Sequence, residues 1–491
     1  MQHVQRRRGT KVRRAAHAAL VLLGLGVATS CSGGTDREEQ LAQVKVEATA
    51  DITPVFRPDT YDYNVWCEND SEQITVTWEE SAAPRVQLLT GGEYRDIPHE
   101  NGEVTTTIHV GDALVVGLYA WRCMPIDMPR LQPEGRLTES GWAVMGLFKA
   151  RDAALDDNQT RESQGGWVTI VDENGAIVWY KRAETPMNPT RVDANRVAWL
   201  EDRAKNGVNI DPAVTFRIES LDGSETSELE APEGWSIDFH ELERAENEWW
   251  VIGTQIRENV EGYTGRVVID GVLKLDDSFT WKHTDHILAS ETQNVPFPSI
   301  DGPVNDPVHM NSVQVQQNGD VLVGARELNE VFMIDRSSSK VRWRLRGRGA
   351  KPVAEHSDGA AVLSIAESER FSHPHDARLW DDGTLSVFDN RSDTMERARV
   401  AVYKIDEQTG SAQLVWSRTG TSTSTACGMV RRVGDHWLVS WGSSAAPLLE
   451  ELDRDGVSVF SLRGDGTVMT YRANVEDRAA FSRLVLREAV R

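Results

Sequence analysis

The sequence has little that would place it in several common functional classes. The leader's apolar stretch, Ala18–Val27, is ten residues long, about half of what a bilayer-spanning helix needs. Cysteine is scarce, four in 491 residues, and no two stand as Cys-x-x-Cys. That excludes the usual zinc-cluster spacing. No Gly-x-x-x-x-Gly-Lys loop is present to cradle a nucleotide phosphate. Positive charge is short: 53 Lys and Arg face 76 Asp and Glu, for a net charge of −23. A nucleic-acid backbone would be repelled over most of such a surface. An anionic small molecule would need a local cationic pocket. No strong helical period runs through the chain after residue 137. What is present is β-type material. Hydrophobic residues make up 40% and charged residues 26%, enough for a real core. The 38 glycines and 16 tryptophans are spread through short alternating segments, as in all-β proteins.

The length allows one large and one small domain. Residues 1–31 form a leader. Arg6, Arg7, Arg8, Lys11, Arg13 and Arg14 precede the apolar stretch, and Ala28-Thr29-Ser30-Cys31 follows it. This resembles a bacterial lipoprotein signal with Cys31 as the lipidated residue, although Ala28 stands where Leu is usual. Plain secretion with cleavage nearby is the alternative. Either route exports the protein, and the first leaves it lipid-anchored, facing the periplasm or the cell exterior. Residues 32–44 read as a flexible tether. In an oxidising compartment Cys67 and Cys123 are a reasonable disulfide pair, which leaves Cys427 single.

Residues 45–136 read as a small β-sandwich, with strands at Gln73–Trp78, Arg85–Leu89 and Val104–Val110. From 137 to 491 a longer repeat takes over. One half of the unit appears as Val168–Tyr180, Val331–Trp343 and Val402–Trp416, each a strand, a polar turn and a Trp-bearing strand. Units of this size with about four strands predict a six-bladed β-propeller.

The other half of the unit starts at His240, His309, His375 and Cys427, which lie 69, 66 and 52 residues apart. Equivalent positions in successive blades sit at equivalent radii. The repeat therefore predicts that His240, His309 and His375 converge on one axis. A single histidine would be a satisfied structural residue; three at one repeat position are not. Arg326, at the end of the hairpin that begins at His309, adds a guanidinium able to grip two oxyanion oxygens. Together they predict an anion pocket.

These residues carry a family resemblance. Asp306-Pro-Val-His-Met-Asn-Ser-Val313 followed by Val323-Gly-Ala-Arg-Glu327 resembles the His-x-Asn-Ser … Ser-x-Arg signature of arylsulfate sulfotransferases. His375-Asp-Ala377 leading to Val387-Phe-Asp-Asn390 resembles their second signature, and Asp238-Phe-His240 a third. The resemblance covers roughly residues 137 to 475, and an N-terminal sandwich is a feature of that family. It implies that His375 attacks the sulfur of an aryl sulfate and carries the sulfuryl group to a phenol in two similar, ping-pong halves. His309, Arg326 and His240 would hold the sulfuryl oxygens, and one histidine would protonate the leaving phenolate. Asn311 and Asn390 would contact the substrate. No cofactor is implied, and the partners are aryl sulfates and phenols, with the membrane reached only through a lipid anchor. A homodimer is left open. Asp376 and Arg391 depart from the Thr and Gly of the best-known members and look like a divergent second branch.

Two rival readings accompany this one. A non-catalytic propeller at the cell surface could bind a ligand or protein partner on the same scaffold. His373-Pro-His375 could join Asp376 or Asp389 around a metal in a hydrolase or lyase. His283, His286, His356 and His436 match no repeat position and read as surface or structural.

Overall fold

A computed structural model describes residues 44–489 apart from 58, 69–70, 79–85, 89–93, 99–102, 111–113, 139–140, 150–164, 203–213, 246, 277, 298–301 and 354–355. The expected leader (1–31) with Cys31, and all of the expected tether (32–44) except Val44, lie outside the described residues. Strands dominate, and no described helix is long and apolar enough to cross a membrane.

Two sheets form the N-terminal unit. Val44–Ala48, Ser71–Trp78 and Tyr94–Pro98 make one; Ile52–Thr53, Asp62–Val65, Leu114–Cys123, Glu103–Val110 and Val86–Leu88 make the other. Their inner faces share one aromatic cluster. Ile74 comes from the first sheet, and Tyr63, Val65, Tyr119 and Trp121 come from the second. Tyr63 stacks on Trp121 with ring centroids 4.4 Å apart. Offset aromatic pairs of this kind add to area burial in so small a core. Cys67 and Cys123 are joined at the edge of this cluster.

Six further sheets follow in chain order among the described residues. The first contains Trp142–Lys149, Gly166–Asp172 and Ile177–Ala183; the second runs from Thr190–Arg191 to Thr226–Glu228. The third to sixth begin with Ser236–Ala245, Met310–Val315, Pro374–Leu379 and Met429–Val433. These four leading strands pack successively against one another and line a common axis. Apolar cores fill the wedges between neighbouring sheets. Trp250, Trp281 and Phe332 lie between the third and fourth, and Trp343, Phe371 and Tyr403 between the fourth and fifth. This is the radial packing of a β-propeller.

Strands from both ends of the propeller segment close the ring. Ala473–Glu476 pairs with Trp142–Lys149 as the innermost strand of the first sheet. Gln132–Gly135 pairs with Ser458–Arg463 as the outermost strand of the sixth. The expected sandwich (45–136) therefore ends too late: residues 132–135 already belong to the propeller. The two halves of the sequence repeat are the inner and outer hairpins of a sheet. Val331–Trp343 and Val402–Trp416 are outer hairpins, whereas His309 and His375 head the inner hairpins of their sheets. The short helix Arg483–Ala489 clamps the two units. Arg487 Nε reaches Asp62 Oδ1 at 2.7 Å, and Arg483 also pairs with Asp62 and with Asp172.

Candidate active site

Inner strands would normally alternate their side chains between two faces. Here three of them break register where the histidines sit. The shifts fall between Ile237 and Leu242, between Met310 and Ser312, and between His375 and Arg378. A bulge adds an unpaired residue and re-aims the local side chain. His309, Asp376 and Cys427 hold positive φ of 53°, 47° and 68°, an uncommon conformation for these residue types. The hairpins leave room for this turn. A Cβ at Gly324 would overlap the Ser312 hydroxyl, and one at Gly428 would overlap the Phe388 ring.

The three imidazoles converge as the repeat predicts. The rings of His240 and His309 lie 4.9 Å apart, edge to face. The strand that carries His375 packs against Met310–Val315, and Asn311 donates to the carbonyl of Pro374, beside His375, at 2.7 Å. Cys427, at the fourth repeat position, donates its backbone N–H to His375 Nε2 at 3.3 Å. Arg326 is anchored beside them. Its Nη2 donates to the Thr425 carbonyl at 3.0 Å, its Nη1 pairs with Glu327, and its backbone N–H bonds the His309 carbonyl at 2.9 Å.

The rings differ in what holds them. His240 Nδ1 meets Asp238 Oδ1 at 2.5 Å and His309 Nδ1 meets Asp306 Oδ2 at 2.5 Å. His375 Nδ1 meets an amide instead, Asn390 Oδ1 at 2.6 Å. The neighbours of Asn390 settle which atom is which. Its other terminal atom faces the carbonyls of Ser424 and Cys427 at 3.2 and 3.0 Å. Carbonyls accept only, so that atom is the NH₂ and Oδ1 faces the ring. His375 Nδ1 therefore carries the hydrogen, and Nε2 carries the lone pair.

Electrostatics follow the same division. Burial, then Arg326 and the two other histidines, pushes the His375 pKa well below the ordinary imidazole value. Burial also lowers His240, with Asp238 opposing it. For His309 burial works downward, but Asp306 outweighs it and the pKa rises. A neutral His375 thus stands beside a His309 that favours its proton.

Several expectations need correction. Asn390 is not placed to contact a substrate, because its amide is spent on His375, Ser424 and Cys427. Asn311 is 0% exposed and donates to the Pro374 carbonyl at 2.7 Å. The four candidates for a metal turn to separate partners: His373 to Ser392, His375 to Asn390, Asp376 to arginines, and Asp389 to Arg399. Among the described residues no group of three or more His, Cys, Asp or Glu is arranged to hold a metal. His283, read as surface or structural, is the latter: it is fully buried and its Nδ1 accepts the Asp270 N–H at 3.0 Å. His286, His356 and His436 pair with Asp358, Glu291 and Glu451. Asp238 and Asp306 hold two of the rings, roles that the sequence reading does not assign. Both nevertheless stand inside the family-like motifs, two and three residues before their histidines.

Fold and site together define a β-propeller with a cluster of three histidines and one arginine where its inner strands meet. A sequence model of the arylsulfotransferase (ASST) family matches residues 206–465, more than half of the chain. The chain belongs to that family, whose members are sulfotransferases. No curated protein matches the sequence. Among solved structures, a periplasmic gluconolactonase from Pseudomonas aeruginosa is 10% identical, with 68% of this chain and 99% of that one covered and a TM-score of 0.37. A protein of unknown function from Bacteroides caccae is also 10% identical, covering 68% and 99%, with a TM-score of 0.38. Scores this low carry no argument, and the fold rests on the sheet order described above.

Proposed function

We propose that the protein moves a sulfuryl group from an aryl sulfate to a phenol through a sulfohistidine on His375, without a nucleotide carrier. One observation carries the reading. The Asn390 amide fixes the His375 tautomer with the lone pair on Nε2, where the Cys427 N–H now meets it at 3.3 Å and must give way as sulfur approaches. That lone pair attacks sulfur, the bond from sulfur to the aryl oxygen breaks, and the departing phenolate takes a proton from His309. In the second half His309 removes the acceptor's phenolic proton. The acceptor oxygen attacks sulfur and the N–S bond breaks, restoring neutral His375. Arg326 offsets charge on the sulfuryl oxygens in both halves.

The test is release of 4-nitrophenol from 4-nitrophenyl sulfate with and without a phenol acceptor. Acceptor-dependent release that His375→Ala abolishes supports the reading. No release over a broad donor panel gives the site to a binding-only propeller. We also propose export, supported by the Cys67–Cys123 bond, which persists in oxidising compartments. Lipidation at Cys31 is checked by acyl-chain labelling of the wild type against Cys31→Ser.

A further inference from the structure

Directly beyond the imidazoles, five charged side chains fill the propeller axis. Glu241 follows His240 and Asp376 follows His375, so both carboxylates enter the axis next to the rings. Arg472 arrives from the far end of the chain, just before the closing strand Ala473–Glu476. Its Nη1 donates to Glu241 Oε1 at 2.8 Å and its Nη2 to the Asn311 carbonyl at 2.7 Å. Arg378 donates to Glu241 Oε2 at 2.5 Å and to Asp376 Oδ1 at 2.9 Å. Arg431 pairs with Asp376 Oδ1 at 2.9 Å. The Val313 and Val430 N–H groups complete Glu241 and Asp376 at 3.2 and 2.9 Å. Glu241, Asp376, Arg378 and Arg472 are each at most 2% exposed.

Three guanidinium groups face two carboxylates, which leaves a surplus of one positive charge. Glu243, nearby, cancels it only in part, because burial pushes its carboxyl up to about 7. A buried ion lattice is a poor source of stability, since desolvation offsets most of the attraction. It is a good source of field, because fixed charges in a dry interior need no reorganisation when an anion arrives. The surplus touches the site. Arg472 acts on His240, His375 and Cys427, and it holds the carbonyl of Asn311, two residues past His309.

We propose that this lattice is the electrostatic floor of the sulfuryl pocket, with Arg472 as a positioning residue that favours a bound anion through fixed charge rather than contact. Asp376 sets the strength of the floor. A neutral residue there, such as the Thr of the better-known family members, would raise the surplus by one unit charge. The inference rests on reading the histidine cluster as an anion site.

Equilibrium binding of inorganic sulfate to the full chain tests it, by calorimetry on the wild type, Arg472→Gln and Asp376→Asn. Each variant changes the lattice by one unit charge, in opposite directions. Arg472→Gln weakens sulfate about tenfold and Asp376→Asn tightens it about tenfold, the scale of one partly screened buried charge. A scaffold without electrostatic function gives both variants weaker binding, or no change in either, and overturns the proposal. So does absence of sulfate binding in all three proteins. If Arg472→Gln fails to fold, Asp376→Asn decides alone, since it keeps the side-chain size, although its one oxygen can accept either from the Val430 N–H or from Arg378 and Arg431 and not from both sides. Tightening then supports the proposal, and unchanged or weaker binding overturns it. Binding is read without turnover. An inactive wild type with the opposite-sign pattern therefore removes the transferase reading and keeps the floor, and an active wild type without the pattern does the reverse.

Discussion

Replacing the Asn390 amide with a carboxylate should turn His375 into a third carboxylate-held histidine. Asn390→Asp keeps the side-chain shape and the acceptor for His375 Nδ1, now 2.6 Å away. It adds a negative charge about 4 Å from the ring centre, which at an effective dielectric of about 20 is worth about 4 kcal/mol. That equals roughly three pKa units before burial takes its share. The sign is fixed. A carboxylate favours the imidazolium, so the His375 pKa rises from its present depressed position. The neutral nucleophile then exists only above the raised value. The pH profile of kcat/KM for 4-nitrophenyl sulfate should gain an acid limb roughly one to three units higher than in the wild type. Activity should fall on the acid side of that raised value and recover as pH rises through it. The aspartate would also face the Ser424 and Cys427 carbonyls, so some activity should be lost at every pH. A uniform loss with the limb unmoved would refute the reasoning, because Asn390 would then be only a packing group.

Other consequences are as direct. Asp306→Asn removes the carboxylate that raises His309. It should cost roughly 10²–10⁴-fold in kcat for donors with poorly acidic phenols and far less for 4-nitrophenyl sulfate, as a leaving-group series would read. Cys67→Ser with Cys123→Ser should lower stability by about 2–4 kcal/mol in denaturant unfolding and leave transfer intact, because the bond lies in the N-terminal cluster and not at the axis. Gly428→Ala should cost roughly 1–3 kcal/mol, since φ there is 109° and the new Cβ would meet the Phe388 ring beside Cys427. Thermal melting and the transfer assay together would check it.

The parts of the site that recur are legible in the sequence. His240, His309 and His375 occupy one repeat position, and propeller symmetry carries that position to one axis. Parts built from unlike blades are not legible. Arg472 meets Glu241 across 231 residues, and Arg378 meets it across 137, with no shared periodicity to link them. Asn390 is misassigned to the substrate because a motif marks a neighbourhood and not the direction of an amide. Strand positions survive better than the domain edge. The expected strands Gln73–Trp78 and Val104–Val110 lie almost entirely as they stand in the fold, at Ser71–Trp78 and Glu103–Val110. Ring closure by Gln132–Gly135 depends on a strand at Ser458–Arg463, at the other end of the propeller, and nothing local in QPEG signals it.

The central claim is that His375 Nε2 becomes covalently sulfated. Donor given without acceptor, followed by an alkaline quench and peptide mass spectrometry, tests it most directly. One added sulfuryl group is expected on the peptide carrying His375, removed when a phenol is supplied before the quench and absent in His375→Asn. Acceptor-dependent turnover with that peptide unmodified at every time point, or with the group on another residue, would contradict it.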